Sequence, residues 1–261
     1  MISHSIRLCL LSAIGTLSLG TVSAQTPSVP AAPPEEAQAN LTAREKFSNL
    51  PEEKRKEFLQ HLQEASKLFS QKRIFETLDE IEKADAIFPD SPEIENLRGS
   101  CYVEFRDFDR ARKIFEKALE LSPDSTSVLF NIAEVDFCAR DWERAEKEFT
   151  ELLPKLTGNQ ASMKDLAEFK ILLCKLKSGQ VEQARKMVNN HGFMDDTPYH
   201  FFAQAAIAYH DGNTAKAEKW LGRGLRIFRN PNLLAPWQDT LIEFGYIKSF
   251  YGGDTSAAGG K

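Results

Sequence analysis

Cysteine is scarce in this chain of 261 residues, with four in all and three beyond residue 24. An odd number at wide spacing (Cys101, Cys138 and Cys174) excludes a disulfide framework. Histidine is equally sparse, and His61, His191, His200 and His210 include no i,i+4 pair of the kind that builds a helical zinc site. There is no H-E-x-x-H, no G-x-S-x-G, no glycine loop to cradle phosphate and no paired C-x-x-C. These absences argue against an enzyme and imply no cofactor. The charge is close to balanced, at −5 overall, with 32 basic and 38 acidic residues beyond residue 24. A slightly acidic chain is a poor match for nucleic acid or an anionic membrane surface. The apolar run Leu8 to Leu19 is shorter than the ~20 residues that span a bilayer.

That short run has a different reading. Arg7 precedes it, and Val22-Ser23-Ala24 follows as a small-residue cleavage site before Gln25. Residues 1–24 thus have the form of a secretory signal peptide. Cys9 lies inside the apolar run, not just after a cleavage motif, so the pattern is not that of a lipoprotein. The expectation is an exported protein, periplasmic or envelope-bound if bacterial and otherwise secreted, with no membrane span after cleavage. Residues 25–48, with four prolines in QTPSVPAAPPEEAQAN, read as an extended tether. Residues 252–261 (GGDTSAAGGK) read as a flexible tail.

Between tether and tail, residues 49–251 are rich in helix-period runs and repeat themselves. Gly99, Tyr102, Ala111, Phe115, Ala118 and Pro123 fall at offsets that suit two helices meeting at the polar break Arg106-Asp107. Thirty-four residues later Ala133, Ala145 and Phe149 repeat part of the set, and thirty-four earlier Ala65, Ile81, Ala84 and Pro89 do so. Small residues at Gly99 and Ala111 let two helix backbones approach, and Tyr102 and Phe115 fill the space beside the crossing.

The pattern resembles the tetratricopeptide repeat, a 34-residue helix–turn–helix unit with G-x2-Y, A-x3-F and a closing proline. Its opening W-x2-L is replaced here by Glu95 and Arg98. The resemblance implies an all-α, right-handed solenoid of five αα-hairpins, at about 58–91, 92–125, 126–159, 165–198 and 198–231. Helical caps are expected at both ends. At the first, Asn49 and Glu52 have capping-box spacing ahead of a helix from about Leu50 to Gln71. At the other, a helix over 236–250 has Pro236 in its first turn and Trp237, Leu241, Phe244 and Tyr251 on one face. Pro154 predicts an early stop in the third hairpin.

Alignment with the family also places residues on the concave surface. The first two repeats contribute Leu62, Ser66 and Phe69, then Asn96, Ser100 and Val103. The third adds Phe130, Glu134 and Phe137, and the fourth adds Phe169, Leu173 and Leu176 with Lys177 at the edge. The fifth adds Phe202, Ala206, Tyr209 and His210. A carboxylate clamp for a chaperone tail needs Lys and Asn on these helices. Leu62, Ser66, Asn96 and Ser100 do not supply it. From the third repeat onward the surface is apolar and aromatic. Either the chain covers it itself, or it is a groove for a partner. The reading carried forward is a non-enzymatic, exported scaffold for a protein partner. A carrier of a small apolar ligand or lipid in the same cavity is the alternative.

Overall fold

The computed structural model describes residues 43–192 and 194–248. The expected signal peptide, most of the expected tether and the expected tail lie outside the described residues. So do Tyr251 and the last residues of the expected terminal helix.

The hairpins are made by one backbone device used five times. Lys72, Arg106, Arg140, Gly179 and Gly212 all have positive φ, between 61° and 76°. After each, the next backbone N–H reaches back five residues and closes the preceding helix. The bonds are Arg73 to Leu68 (3.0 Å), Asp107 to Tyr102 (3.0 Å), Asp141 to Asp136 (2.9 Å), Gln180 to Lys175 (2.8 Å) and Asn213 to Ala208 (2.8 Å). This left-handed closure satisfies carbonyls that the helix end would otherwise leave bare. The following residue then starts the return helix. The Asp107, Asp141 and Asn213 side chains each accept a bond from the N–H three residues on.

Twelve α-helices result among the described residues. A short α1 (Ala43–Ser48) precedes the hairpins α2 (Glu52–Ser70)/α3 (Ile74–Ile87) and α4 (Pro92–Glu104)/α5 (Phe108–Leu121). Next come α6 (Thr126–Ala139)/α7 (Trp142–Leu152) and α8 (Ala161–Lys177)/α9 (Val181–Met187). Last are α10 (Tyr199–His210)/α11 (Thr214–Ile227) and a single helix α12 (Pro231–Phe244). In the α4/α5 hairpin the helix crossing is fixed by Gly99. A Cβ there would sit 2.7 Å from Phe115 Cε1. Phe115, Ala111 and Ala118 are fully buried.

At the N-terminal end, Phe47 of α1 packs on Phe58 and Phe88 with ring centroids 5.2 and 5.4 Å away. Asn49 does not cap α2. Pro51 holds the cap position in an extended conformation without a side-chain bond, and the helix begins at Glu52. Pro154 lies where a break is expected, and α7 passes into a 3-10 turn at Leu153–Lys155.

The terminal helix departs from expectation. It begins at Pro231, not Pro236. Asn230 caps it by accepting from the Asn232 N–H at 3.0 Å. Pro236 falls inside, and Gly245 closes the helix at φ 88°. Its position also differs from an end cap: α12 lies across the first helices of the third to fifth hairpins.

Candidate functional site

The concave positions of the third to fifth hairpins do not form an open groove. Phe130, Glu134, Phe137, Phe169, Leu173, Leu176 and Phe202 are all buried. Two causes account for this. Phe130 turns into its own hairpin and meets Phe149 edge-on, with centroids 5.3 Å apart. Most of the others lie under α12. Its Trp237 packs on Phe169 (5.3 Å) and Phe202 (5.7 Å), and its Phe244 stacks on Phe137 (6.1 Å). Leu234, Trp237, Leu241 and Phe244 are buried in one cluster with Phe169, Leu173, Leu176 and Phe202. The self-covered alternative is therefore the one the molecule adopts. Each large side chain gains about 1.5–3 kcal/mol by leaving water, and that is reason enough for a matched apolar helix to seat itself there.

Three expected site residues stay at the rim. Lys177 is exposed and holds its ammonium 4.8 Å from the centre of the Phe244 ring. Tyr209 is half-buried and stacks on Tyr246 at 5.3 Å. His210 is exposed at the end of α10.

Beneath the α12 contact lies a set of charges. The Lys170 ammonium is 2.8 Å from the Glu134 carboxylate, with both side chains almost fully buried. It also sits 4.3 Å from the centre of the Phe137 ring. Arg106, at the turn of the second hairpin, reaches Glu243 of α12 at 2.8 Å and donates to the Cys138 carbonyl at 3.2 Å. Cys138 Sγ donates to Glu134 Oε1 at 3.9 Å. Thus Cys138 is not on an accessible face. Burial pushes its thiol well above the usual range, with Glu134 and Glu243 adding to the effect. Cys101 is pushed up to about 12, mainly by burial. Cys174 also rises by burial. None of the three is placed for thiolate chemistry.

Arg106, Lys170, Glu243, Trp237 and Phe244 join the expected concave residues here, and of these the sequence marks Arg106 only as part of a polar break and Trp237 and Phe244 as an apolar face. Their spacing does not show what that face packs against. Glu134 and Lys170 are 36 residues apart, and Arg106 and Glu243 are 137 apart. Pairs so separated become visible only once the superhelix is closed.

His191 belongs to the connection between α9 and α10. Its Nε2 lies 3.3 Å from Glu168 and 3.6 Å from Asp165, and the ring meets Tyr199 with centroids 4.5 Å apart. That ties the loop to α8. Among the described residues no group of His, Cys, Asp or Glu could hold a metal ion. No helix there is long and apolar enough to cross a membrane. Two surface depressions lie away from the concave face. One, of about 430 Å³, is lined by polar residues such as Glu143, Glu146 and Lys147. The other, of about 270 Å³, runs from Arg112 and Glu148 to Leu129 and Ile132. Neither is part of the concave site.

The Tetratricopeptide repeat family model matches residues 102–168. No curated protein is significantly similar in sequence. A solved structure from a study titled "Functional Characterization of Pseudomonas Aeruginosa pilF" superposes with a TM-score of 0.52 at 13% identity, covering 74% of this chain and 94% of that one. With the five turns and the Gly99–Phe115 crossing, these matches establish the fold as an all-α tetratricopeptide-repeat solenoid.

Proposed function

We propose that the chain is an exported, non-enzymatic scaffold whose concave side holds a segment of another protein. Tetratricopeptide repeats generally mediate contacts between proteins. The observation that carries the reading for this chain is the aromatic floor formed by Phe137, Phe169 and Phe202, shaped to seat a helix and seating α12. The signal-like pattern of residues 1–24 supports export, to the periplasm or envelope if the source is bacterial. A nearly balanced, slightly acidic chain favours protein over nucleic acid as the partner.

The carrier reading has less support. Trp237 and Phe244 occupy the volume that an apolar ligand would need.

Site-specific photocrosslinking in the native host tests the scaffold. A photoreactive residue at Lys177 or His210, both exposed at the rim, should capture a discrete protein. The same residue at Lys147, lining the depression away from the groove, should not. Capture equal at all three positions, or at none, would contradict a concave partner. A bound small molecule in native mass spectra of the purified chain would favour the carrier.

A further inference from the structure

Polar and charged groups share the buried face of the helix seated in the groove. Beside Trp237, Leu241 and Phe244, α12 buries Gln238, Thr240 and Glu243. Glu243 Oε2 is buried with no hydrogen-bond partner. The surface beneath contributes the Glu134–Lys170 pair and the Arg106 guanidinium. Apolar residues of similar volume would usually make a permanent core at least as stable, because buried charges give up hydration. A floor that carries its own ion pair behaves differently when uncovered. Glu134, Lys170 and Arg106 regain water, and the exposed surface is not wholly apolar. Such a floor is less costly to uncover than a wholly apolar one.

The occupant is read by chemistry as well as shape. On α12, Trp237, Leu241 and Phe244 sit at offsets 0, 4 and 7, one face of a helix. The acid at offset 6, Glu243, meets Arg106 at 2.8 Å. Arg106 stands at the turn of the second hairpin, beyond the aromatic floor, so this one contact fixes both register and direction.

Resting on the scaffold reading above, we propose that α12 occupies the groove in place of a partner protein's helix and gives way to it. That helix would carry an aromatic residue, an aliphatic one four positions on, and an acid directly before a second aromatic at offset 7. Binding in trans then competes with α12 held in cis. The apparent affinity is the intrinsic affinity multiplied by the fraction of time the groove is open.

The test uses the full mature chain, residues 25–261, and a fluorescent peptide of residues 229–248 as the probe. Glu243→Gln in the chain weakens the cis helix but leaves Arg106 and the aromatic floor intact. It should bind the peptide about tenfold more tightly than the wild type does. Phe244→Ala in the chain should act in the same direction. A peptide with Glu243→Lys should lose about tenfold or more in affinity for either variant, through repulsion from Arg106. Two results would overturn the proposal. One is no peptide binding by Glu243→Gln or Phe244→Ala chains that keep wild-type helical circular dichroism, which would make α12 permanent core. The other is equal binding of the two peptides, which would remove Arg106 as the reader. Capture of a protein at Lys177 and His210 alongside either result would leave the scaffold standing and only the exchange refuted.

Discussion

Arg106 and Glu243, 137 positions apart in sequence, form a 2.8 Å ion pair that joins the turn of the second hairpin to the last turn of α12. The arginine is partly open to solvent, and the glutamate is not. The asymmetry decides what their loss does. Arg106→Ala leaves a buried carboxylate uncompensated, and one of its oxygens already lacks a partner. Because the guanidinium is partly solvated, the expected destabilisation is about 1–2 kcal/mol, below the range for a fully buried pair. Urea denaturation of the variant measures it. Glu243→Gln should cost less, since the amide needs less hydration than the carboxylate.

The crossing of α4 and α5 gives a second prediction. Gly99→Ala would place a methyl group 2.7 Å from the Phe115 ring. Alanine gains about 1 kcal/mol of helix propensity over glycine. The clash should outweigh that gain and leave a loss of about 1–2 kcal/mol. Phe115→Ala should cost about 3–5 kcal/mol, since its ring is wholly buried. Trimming Phe115 to Leu in the Gly99→Ala background should return part of the stability. A melting temperature unchanged by Phe115→Ala would be incompatible with the crossing.

Burial of the three cysteines predicts their silence. Cys101, Cys138 and Cys174 are free and buried. At mildly alkaline pH the folded mature chain should resist a thiol reagent, and urea should release all three. Reaction of one thiol in the folded state would mark a locally open hairpin.

Asp136 predicts a pH dependence. It lies between α5 and α7, within 3.0 Å of Arg112 and 3.1 Å of Arg144. Burial and the neighbouring Glu148 carboxyl raise it to about 7, and the two arginines oppose the shift. A carboxyl raised on folding binds more protons in the folded state than in the unfolded one. Stability therefore falls as pH rises from about 4 to about 7, and the group adds no further change above that. Asp136→Asn should flatten the dependence, seen by comparing denaturation midpoints at about pH 5 and about pH 8. A wild-type midpoint that rises over this range, by an amount Asp136→Asn abolishes, would give Asp136 the opposite sign.

Much of the solenoid was legible because its physics is local. The turn positions Lys72, Arg106 and Arg140 repeat every 34 residues, and the crossing residues Gly99 and Phe115 follow from the same period. Pro154 stops its helix for the reason any proline does. The last helix departs from expectation where two local signals compete. Asn230-Pro231 is both a chain break and a helix start, and Pro236 then sits where it is tolerated inside α12. The family pattern aligns Phe137, Phe169 and Phe202 with the face that α12 covers, whereas Phe130 faces its own hairpin. It could not show what lies over them. A helix with Leu234, Trp237, Leu241 and Phe244 on one face is too apolar for a solvated end, and that face was the available signal. The Lys170–Glu134 and Arg106–Glu243 pairs depend on how the superhelix closes, which no local pattern encodes.

Hydrogen exchange followed by mass spectrometry on the mature chain tests the seating of α12 most directly. Amides across 231–244 should be protected, though less than those of α6 and α8, and Glu243→Gln should speed exchange in α12 while leaving α2 to α5 unchanged. Exchange of 231–244 in the wild type as fast as in an unfolded peptide would contradict the account, because the aromatic floor of Phe137, Phe169 and Phe202 would then be uncovered.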